Sequence, residues 1–239
     1  MAPILCYVTD RTALAAPETD ALLATIRRCA AAGVDWIQIR EKDLSDRALA
    51  ALAHDAVAAA RGSSTRIFIN GRLDVALAAR AAGVHLGGDA LPLASVAAWC
   101  ARNAARCTGQ SGEEQNAGLP RLRSGQAGQV SAGTAQTFLL GASCHSLAEA
   151  QAAERDGAHY IFFGPLFPTP SKLPYGPPQG LARLEEICRA VRIPVLAIGG
   201  ITPDNAHECL RAGAAGIAAI RLFQESSHLP ALIPSLHAL

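Results

Sequence analysis

The feature that most constrains the fold of this chain is a junction that recurs along its length. An alanine-rich stretch with helical spacing leads to a glycine, and a short apolar run follows, as at Gly33, Gly83, Gly157 and Gly213. Glycine adopts the left-handed conformation that ends many helices, and a short apolar run is typical of a buried strand. The recurrence therefore predicts helices that alternate with buried strands.

Eight strand–helix units can be placed within the 239 residues. Alternation of this kind implies a parallel sheet, and eight repeats favour one α/β domain, a (β/α)8 TIM barrel over residues 1–239. A doubly wound sheet is the alternative. The predicted strands are residues 4–9, 36–40, 66–70, 84–87, 138–143, 160–167, 194–198 and 216–223. The predicted helices are residues 19–32, 46–61, 74–82, 93–103, 147–156, 181–191, 205–212 and 229–236.

One segment departs from this alternation. Residues 108–135, between the fourth predicted helix and the fifth predicted strand, are rich in Gly, Gln, Ser and Ala and have little apolar periodicity. A long connection without secondary structure is uncommon inside a compact domain. The composition predicts a flexible surface insertion.

Composition limits the partners that the chain is expected to bind. The formal net charge of +1 provides no overall attraction to nucleic acid or to membranes, so neither is expected as a partner. The seven cysteines include no CxxC pair and are expected to be reduced. The opening residues lack a basic targeting segment, and no apolar run reaches membrane-spanning length. We expect a soluble cytoplasmic protein; a homo-oligomer is compatible with the sequence.

Polar side chains follow the second predicted strand, where an apolar run ends in Gln38, Arg40 and Lys42. Side chains alternate along a strand, so Gln38 and Arg40 should point away from the face that carries Ile37 and Ile39. In a TIM barrel the functional residues lie where strands lead into the following loops. This strand end is therefore predicted to hold an anionic ligand, although an edge strand with a solvated polar face would show the same pattern.

Other predicted strand ends add polar groups to the same rim. Asn70 follows the third strand, and Ser143 and His145 follow the fifth. His145 is the candidate acid or base because an unperturbed histidine has a pKa of about 6.5. A histidine that caps the next helix is the structural alternative.

A glycine pair, Gly199 and Gly200, follows the seventh predicted strand, and Arg221 lies near the end of the eighth. Glycines at a turn expose backbone N–H groups, which suit a phosphate. The loops after these two strands frequently bind phosphate in TIM barrels. We therefore predict a phosphate site at Gly199, Gly200 and Arg221.

Together these segments resemble the superfamily of thiamine phosphate synthases and thiazole tautomerases. The matching motifs are YVTD at 7–10, QIREKD at 38–43, INGRLD at 69–74, GVHLG at 83–87, GASCHS at 141–146, FGPLFPTPSK at 163–172 and IGGITP at 198–203. The resemblance implies small phosphorylated thiazole and pyrimidine substrates. It assigns the pyrimidine and pyrophosphate to Gln38, Arg40, Lys42, Asn70, Ser143 and Lys172, the thiazole carboxylate region to Thr169 and Ser171, and the thiazole phosphate to Gly199 and Gly200.

Two departures from the synthase pattern favour the tautomerase branch. Gly71 and Ala90 stand where the synthase has the carboxylates that hold Mg²⁺, and Asp89 is one residue out of register. The preferred interpretation is a thiazole tautomerase-like isomerase without a cofactor, in which His145 moves the proton. The alternatives are a thiamine phosphate synthase, with Mg²⁺ held through Asp89, and a barrel that binds a phosphate ligand without catalysis.

Overall fold

The computed structural model describes residues 2–103, 137–169 and 177–239, and in them eight parallel strands close into a barrel. The predicted (β/α)8 architecture is confirmed, and the doubly wound alternative is wrong. The predicted insertion at 108–135 lies outside the described residues. The strands are β1 Ile4–Val8, β2 Trp36–Ile39, β3 Arg66–Asn70, β4 Gly83–Leu86, β5 Leu139–Cys144, β6 Tyr160–Phe163, β7 Val195–Ile198 and β8 Gly216–Ala219.

Helices alternate with these strands on the outside of the barrel. They are α1 Thr19–Ala32, α2 Asp46–Ala59, α3 Leu73–Ala78, α4 Leu93–Arg102, α5 Leu147–Arg155, α6 Gly180–Ala190, α7 Ala206–Arg211, α8 Arg221–Gln224 and α9 Leu229–His237. Gly33 ends α1 with a φ of 92°, as the junction predicted. In the described residues, no helix is long and apolar enough to cross a membrane.

The alternation of side chains along each strand produces two cores. One lies between the strands and the surrounding helices and includes Ile37 and Ile39. The other fills the barrel interior with Ile4, Cys6, Val8, Trp36, Phe68, Leu139, Tyr160, Phe162, Leu196 and Ala218. Trp36 lies at the centre of the aromatic part, with its ring centroid 4.9 Å from Phe68 and 4.8 Å from Tyr160. This interior forms a packed floor beneath the carboxyl ends of the strands.

Two predicted strands are too long by four residues, whereas the other strand ends differ by one residue at most. β6 ends at Phe163 rather than at residue 167, because Pro165 has no N–H to continue the strand ladder. β8 ends at Ala219 rather than at residue 223, because the backbone of Ile220 is already helical, with φ −93° and ψ −73°. Arg221 therefore begins the short helix α8 instead of ending a strand.

Candidate active site

The ends of β2 and β3 bring two amide side chains together at the barrel mouth. Gln38 Nε2 donates a hydrogen bond of 3.0 Å to Asn70 Oδ1. Gln38 is 2% exposed, and its Oε1 has no hydrogen-bond partner in the described residues. A buried carbonyl oxygen without a donor is costly, so it is typical of a site that a ligand completes. The pair presents one free acceptor, on Gln38, and free N–H donors, on Asn70.

Arg40 is positioned through its backbone by a buried pair, Thr9 and Glu41. The Arg40 N–H donates to Thr9 Oγ1 over 2.9 Å, and Thr9 Oγ1 donates to Glu41 Oε1 over 2.6 Å. The other partners of Glu41 are the backbone N–H of Arg11, at 3.1 and 3.2 Å, and its guanidinium at 3.9 Å. Burial raises the pKa of Glu41, although these hydrogen bonds oppose the rise. The network fixes the turn from which Arg40 and Lys42 extend.

Arg40 and Lys42 are the cations of this turn. Neither side chain makes a hydrogen bond or an ion pair within the described part of the chain, whereas Arg11 pairs with Asp43 over 2.5 Å. Arg40 is half-buried and its charge reaches His85, whose pKa it helps to lower. A cation without a protein partner at a partly desolvated mouth is suited to an anionic ligand.

His145 follows β5 and has one ring nitrogen committed to the protein. Its Nδ1 lies 2.6 Å from the carbonyl oxygen of Gly164, so Nδ1 carries the hydrogen and donates it. The side chain is exposed, and in the neutral form of the ring Nε2 would be the nitrogen that accepts a proton. Its neighbour Cys144 is buried against the helix layer, which raises the pKa of the thiol to about 12. The geometry is compatible with His145 as a base, and the burial of Cys144 argues against a nucleophilic role for its thiol.

Gly199 and Gly200 form a turn that requires glycine twice. Their φ values are 98° and 69°, and a Cβ on Gly200 would lie 2.7 Å from Phe167 Cβ. The backbone of Phe167 donates to the Gly199 carbonyl over 3.0 Å, which joins the loop after β6 to the end of β7. Among the described residues no acceptor is bonded to the Gly200 N–H, so this group is available to an anion.

The remaining predicted residues are placed differently. Arg221 is exposed, and its Nε lies 3.6 Å from Oε1 of Glu225, the residue that follows α8, so its phosphate role stays a prediction. Thr169 lies in the loop after β6 and is the last residue of the described range 137–169. Ser171 and Lys172 lie outside the described residues, so their predicted convergence with Arg40 is untested.

The residues at the mouth do not fit a Mg²⁺ ion held by the protein. Gly71 has a φ of 72° and open space where a side chain would project. The side chain of Ala90 has no ligating atom, and Asp89 is exposed. No group of three His, Cys, Asp or Glu residues within the described ranges could hold a metal ion. Mg²⁺ prefers carboxylate and phosphate oxygens, and this loop supplies one carboxylate.

Sequence reasoning missed the buried groups that support the mouth. The sequence places His85 inside the fourth strand, in the core or low in the mouth, and assigns it no contact; the structure buries it there with Nε2 2.9 Å from Ser143 Oγ. Glu41 was part of a motif without a role of its own, and it proves to anchor the turn before Lys42. Alternation along β4 assigns His85 to the inward face, and this was the signal that could have found its role. For Glu41 the sequence gave little signal, because a charged residue beside a buried strand is usually exposed.

Comparison with known proteins gives a consistent result. A model of the family described as thiamine monophosphate synthase matches residues 5–117 and 122–223. A putative thiamine-phosphate synthase from Geobacter sulfurreducens is 38% identical over 90% of this chain and 84% of its own length. A thiamine-phosphate synthase from Roseiflexus castenholzii is 37% identical over 91% of this chain and 79% of its own length.

Among solved structures, the thiamine phosphate pyrophosphorylase from Pyrococcus furiosus superposes with a TM-score of 0.72 at 28% identity, covering 98% of this chain and 94% of that one. These names support a role in thiamine biosynthesis. They favour the synthase alternative and give no support to the preferred tautomerase reading. The chain belongs to the thiamine monophosphate synthase family of thiamine-biosynthesis enzymes.

Proposed function

We propose that this enzyme is a thiamine phosphate synthase, which couples hydroxymethylpyrimidine pyrophosphate to thiazole phosphate and releases pyrophosphate. The observation that supports this choice best is the buried, unpartnered Oε1 of Gln38 beside the amide of Asn70. An aminopyrimidine has an amino donor next to a ring-nitrogen acceptor, which complements that pair. The thiazole carboxylate phosphate has carboxylate and phosphate acceptors and no N–H donor. A site for that substrate alone would leave Gln38 Oε1 unsatisfied.

In the proposed reaction the bond between the pyrimidine methylene carbon and the pyrophosphate oxygen breaks. The leaving pyrophosphate takes the electron pair, and the thiazole nitrogen then forms a bond to the same carbon. In this proposal Arg40 and Lys42 would stabilise the negative charge that grows on the leaving group, as fixed cations do most effectively at a partly desolvated site. Gly199 and Gly200 would hold the thiazole phosphate through the backbone.

A direct assay tests this proposal. The protein is incubated with both substrates in the presence and absence of Mg²⁺, and thiamine phosphate and pyrophosphate are measured together. Equal amounts of the two products are expected. If neither forms under either condition while the substrates stay intact, the proposal is wrong.

A second candidate function is the thiazole tautomerase, which Gly71, Ala90 and the free Nε2 of His145 favour. Here His145 would remove and return a proton of the non-aromatic thiazole carboxylate phosphate. The test is formation of the aromatic product in the presence of a chelator, with His145→Gln as the variant and Cys144→Ala as the control. Loss of turnover in His145→Gln alone is expected of a tautomerase; no acceleration over buffer excludes it.

A further inference from the structure

A line of polar side chains crosses the barrel interior beneath the mouth. His85 Nε2 lies 2.9 Å from Ser143 Oγ, and His85 Nδ1 lies 3.3 Å from the Tyr160 hydroxyl. His85 and Tyr160 are both buried, and the His85 ring packs on Phe162 with centroids 4.2 Å apart. Both imidazole nitrogens are therefore in use, and the plane of the ring is held.

The order of hydrogens along this line follows from burial. A buried hydroxyl that does not donate its hydrogen loses a hydrogen bond that water would have provided. In the described residues, the acceptor bonded to the Tyr160 hydroxyl is His85 Nδ1. A neutral imidazole has one N–H, so an accepting Nδ1 places that hydrogen on Nε2. Nε2 then donates to Ser143 Oγ, and the hydrogen of Ser143 remains available.

Burial keeps His85 in the neutral form that this order requires. It lowers the pKa of His85 to about 3, and the charge of Arg40 contributes to the shift. A protonated imidazole would donate from both nitrogens and leave the Tyr160 hydroxyl hydrogen without its acceptor. The order of hydrogens is therefore stable at neutral pH.

Space for the Tyr160 hydroxyl is provided by a glycine on the neighbouring strand. A Cβ placed on Gly141 would lie 2.5 Å from the Tyr160 oxygen. Gly141 is paired with Tyr160 in the register of β5 and β6, and Ser143 lies two residues further toward the mouth. The hydroxyl, the imidazole and Ser143 thus occupy successive levels of the interior.

We propose that His85 is a positioning residue that holds Ser143 as a hydrogen-bond donor to an acceptor atom of the substrate. The hydrogens run from Tyr160 through His85 to Ser143. The opposite order would direct the Ser143 hydrogen back to His85 and leave Ser143 able only to accept. The identity of the acceptor, an oxygen of the pyrophosphate on the pyrimidine, rests on the proposed function; the order of hydrogens does not.

The tautomer of His85 tests the order without any substrate. The ¹⁵N and ¹H shifts of the histidine rings are recorded in the wild-type protein at neutral pH, and His85 is assigned by the signals missing from His85→Gln. We expect hydrogen on Nε2 and a bare Nδ1. Hydrogen on Nδ1 in the wild type would overturn the proposal, whether or not any activity has been measured. In Tyr160→Phe, Nδ1 loses its donor, and a mixture of tautomers is expected.

Binding and kinetics then test the consequence at Ser143. With inorganic pyrophosphate as the probe, Ser143→Ala and His85→Leu should each weaken binding about 10-fold or more, as loss of a hydrogen bond to a charged group does. His85→Gln should retain most of the affinity, because its amide can accept from Tyr160 and donate to Ser143. The double variant Ser143→Ala/His85→Leu should bind no worse than Ser143→Ala. Multiplied losses in the double variant, or no rescue by glutamine, would contradict the proposal.

Discussion

The buried oxygen of Gln38 leads to an unusual expectation for Gln38→Leu: a more stable protein that binds its substrate worse. Leucine removes the hydrogen bond to Asn70, worth about 0.5–1.5 kcal/mol. It also removes an unpartnered buried carbonyl that costs about 1–3 kcal/mol. Asn70 is partly exposed, so water can replace its lost donor. The net stabilisation of the free enzyme is on the order of 1 kcal/mol, a rise in Tm of roughly 2–4 °C for a domain of this size.

The same substitution should weaken the use of the pyrimidine substrate. Its amino group would lose its acceptor, and the KM for hydroxymethylpyrimidine pyrophosphate should rise about 5- to 150-fold, as the loss of about 1–3 kcal/mol predicts. The KM for thiazole phosphate should change little. Thermal melts of the free protein and steady-state kinetics with each substrate varied in turn measure both effects.

Gln224→Leu is a matched control, because Gln224 is a second buried glutamine with both amide atoms bonded. Its Oε1 accepts from the Tyr7 hydroxyl over 2.7 Å, and its Nε2 donates to the Asp10 carbonyl over 2.8 Å. Its loss leaves the buried Tyr7 hydroxyl unsatisfied and should lower the stability by about 2–4 kcal/mol. If Gln38→Leu destabilises the protein as much as Gln224→Leu does, or leaves pyrimidine kinetics unchanged, the reasoning about Gln38 Oε1 fails.

Three further predictions concern the rest of the mouth. Gly200→Ala should weaken thiazole phosphate binding and lower the stability by about 1–3 kcal/mol more than Gly62→Ala does. Both glycines have a positive φ, but a Cβ on Gly200 would lie 2.7 Å from Phe167 Cβ, whereas a Cβ on Gly62 meets nothing within 4 Å. Equal losses of stability in thermal unfolding would refute the steric argument for Gly200. Lys42→Ala should lower kcat for coupling by about 10²–10³-fold, whereas Arg155→Ala, at an exposed residue of α5, should leave kcat unchanged. A change in KM alone would show that Lys42 does not stabilise the transition state. Burial lowers the pKa of His85 from 6.5 to about 3, so the native protein binds fewer protons than the unfolded chain between these values. The contribution of the neutral His85 to stability is therefore complete above pH 6.5 and is lost as the pH falls toward 3. The free energy of unfolding of His85→Gln should fall less over this range, and a pH profile identical to that of the wild type would argue against a buried neutral histidine.

The barrel could be predicted because its signal is local and repeated. Helices such as α1 and α7 are followed by a glycine, Gly33 or Gly213, and a buried strand begins within a few residues. The exact strand ends could not be predicted in the same way. Residues 164–167 are as apolar as β6 itself, and only the missing N–H of Pro165 separates the strand from the loop.

The site was predictable as a set of residue types and not as a set of contacts. Gln38 and Asn70 were both recognised from their strand ends, but their contact depends on the β2–β3 register, which pairs Gln38 with Phe68. The link from His85 to Ser143 depends on the register of β4 with β5, two strands that are distant in sequence. Two observations favour different reactions: the carboxylates absent at Gly71 and Ala90 favour the tautomerase, and the unsatisfied amide oxygen of Gln38 favours the synthase. Only the three-dimensional structure shows the second.

The central claim is tested most directly by the stoichiometry of coupling. The protein is mixed with hydroxymethylpyrimidine pyrophosphate and thiazole phosphate, and thiamine phosphate and pyrophosphate are followed over time. We predict that the two products appear in equal amounts and that Gln38→Leu slows both at low pyrimidine concentration. Absence of thiamine phosphate, together with rapid aromatisation of the thiazole carboxylate phosphate by the same preparation, would contradict the synthase proposal and establish the tautomerase in its place.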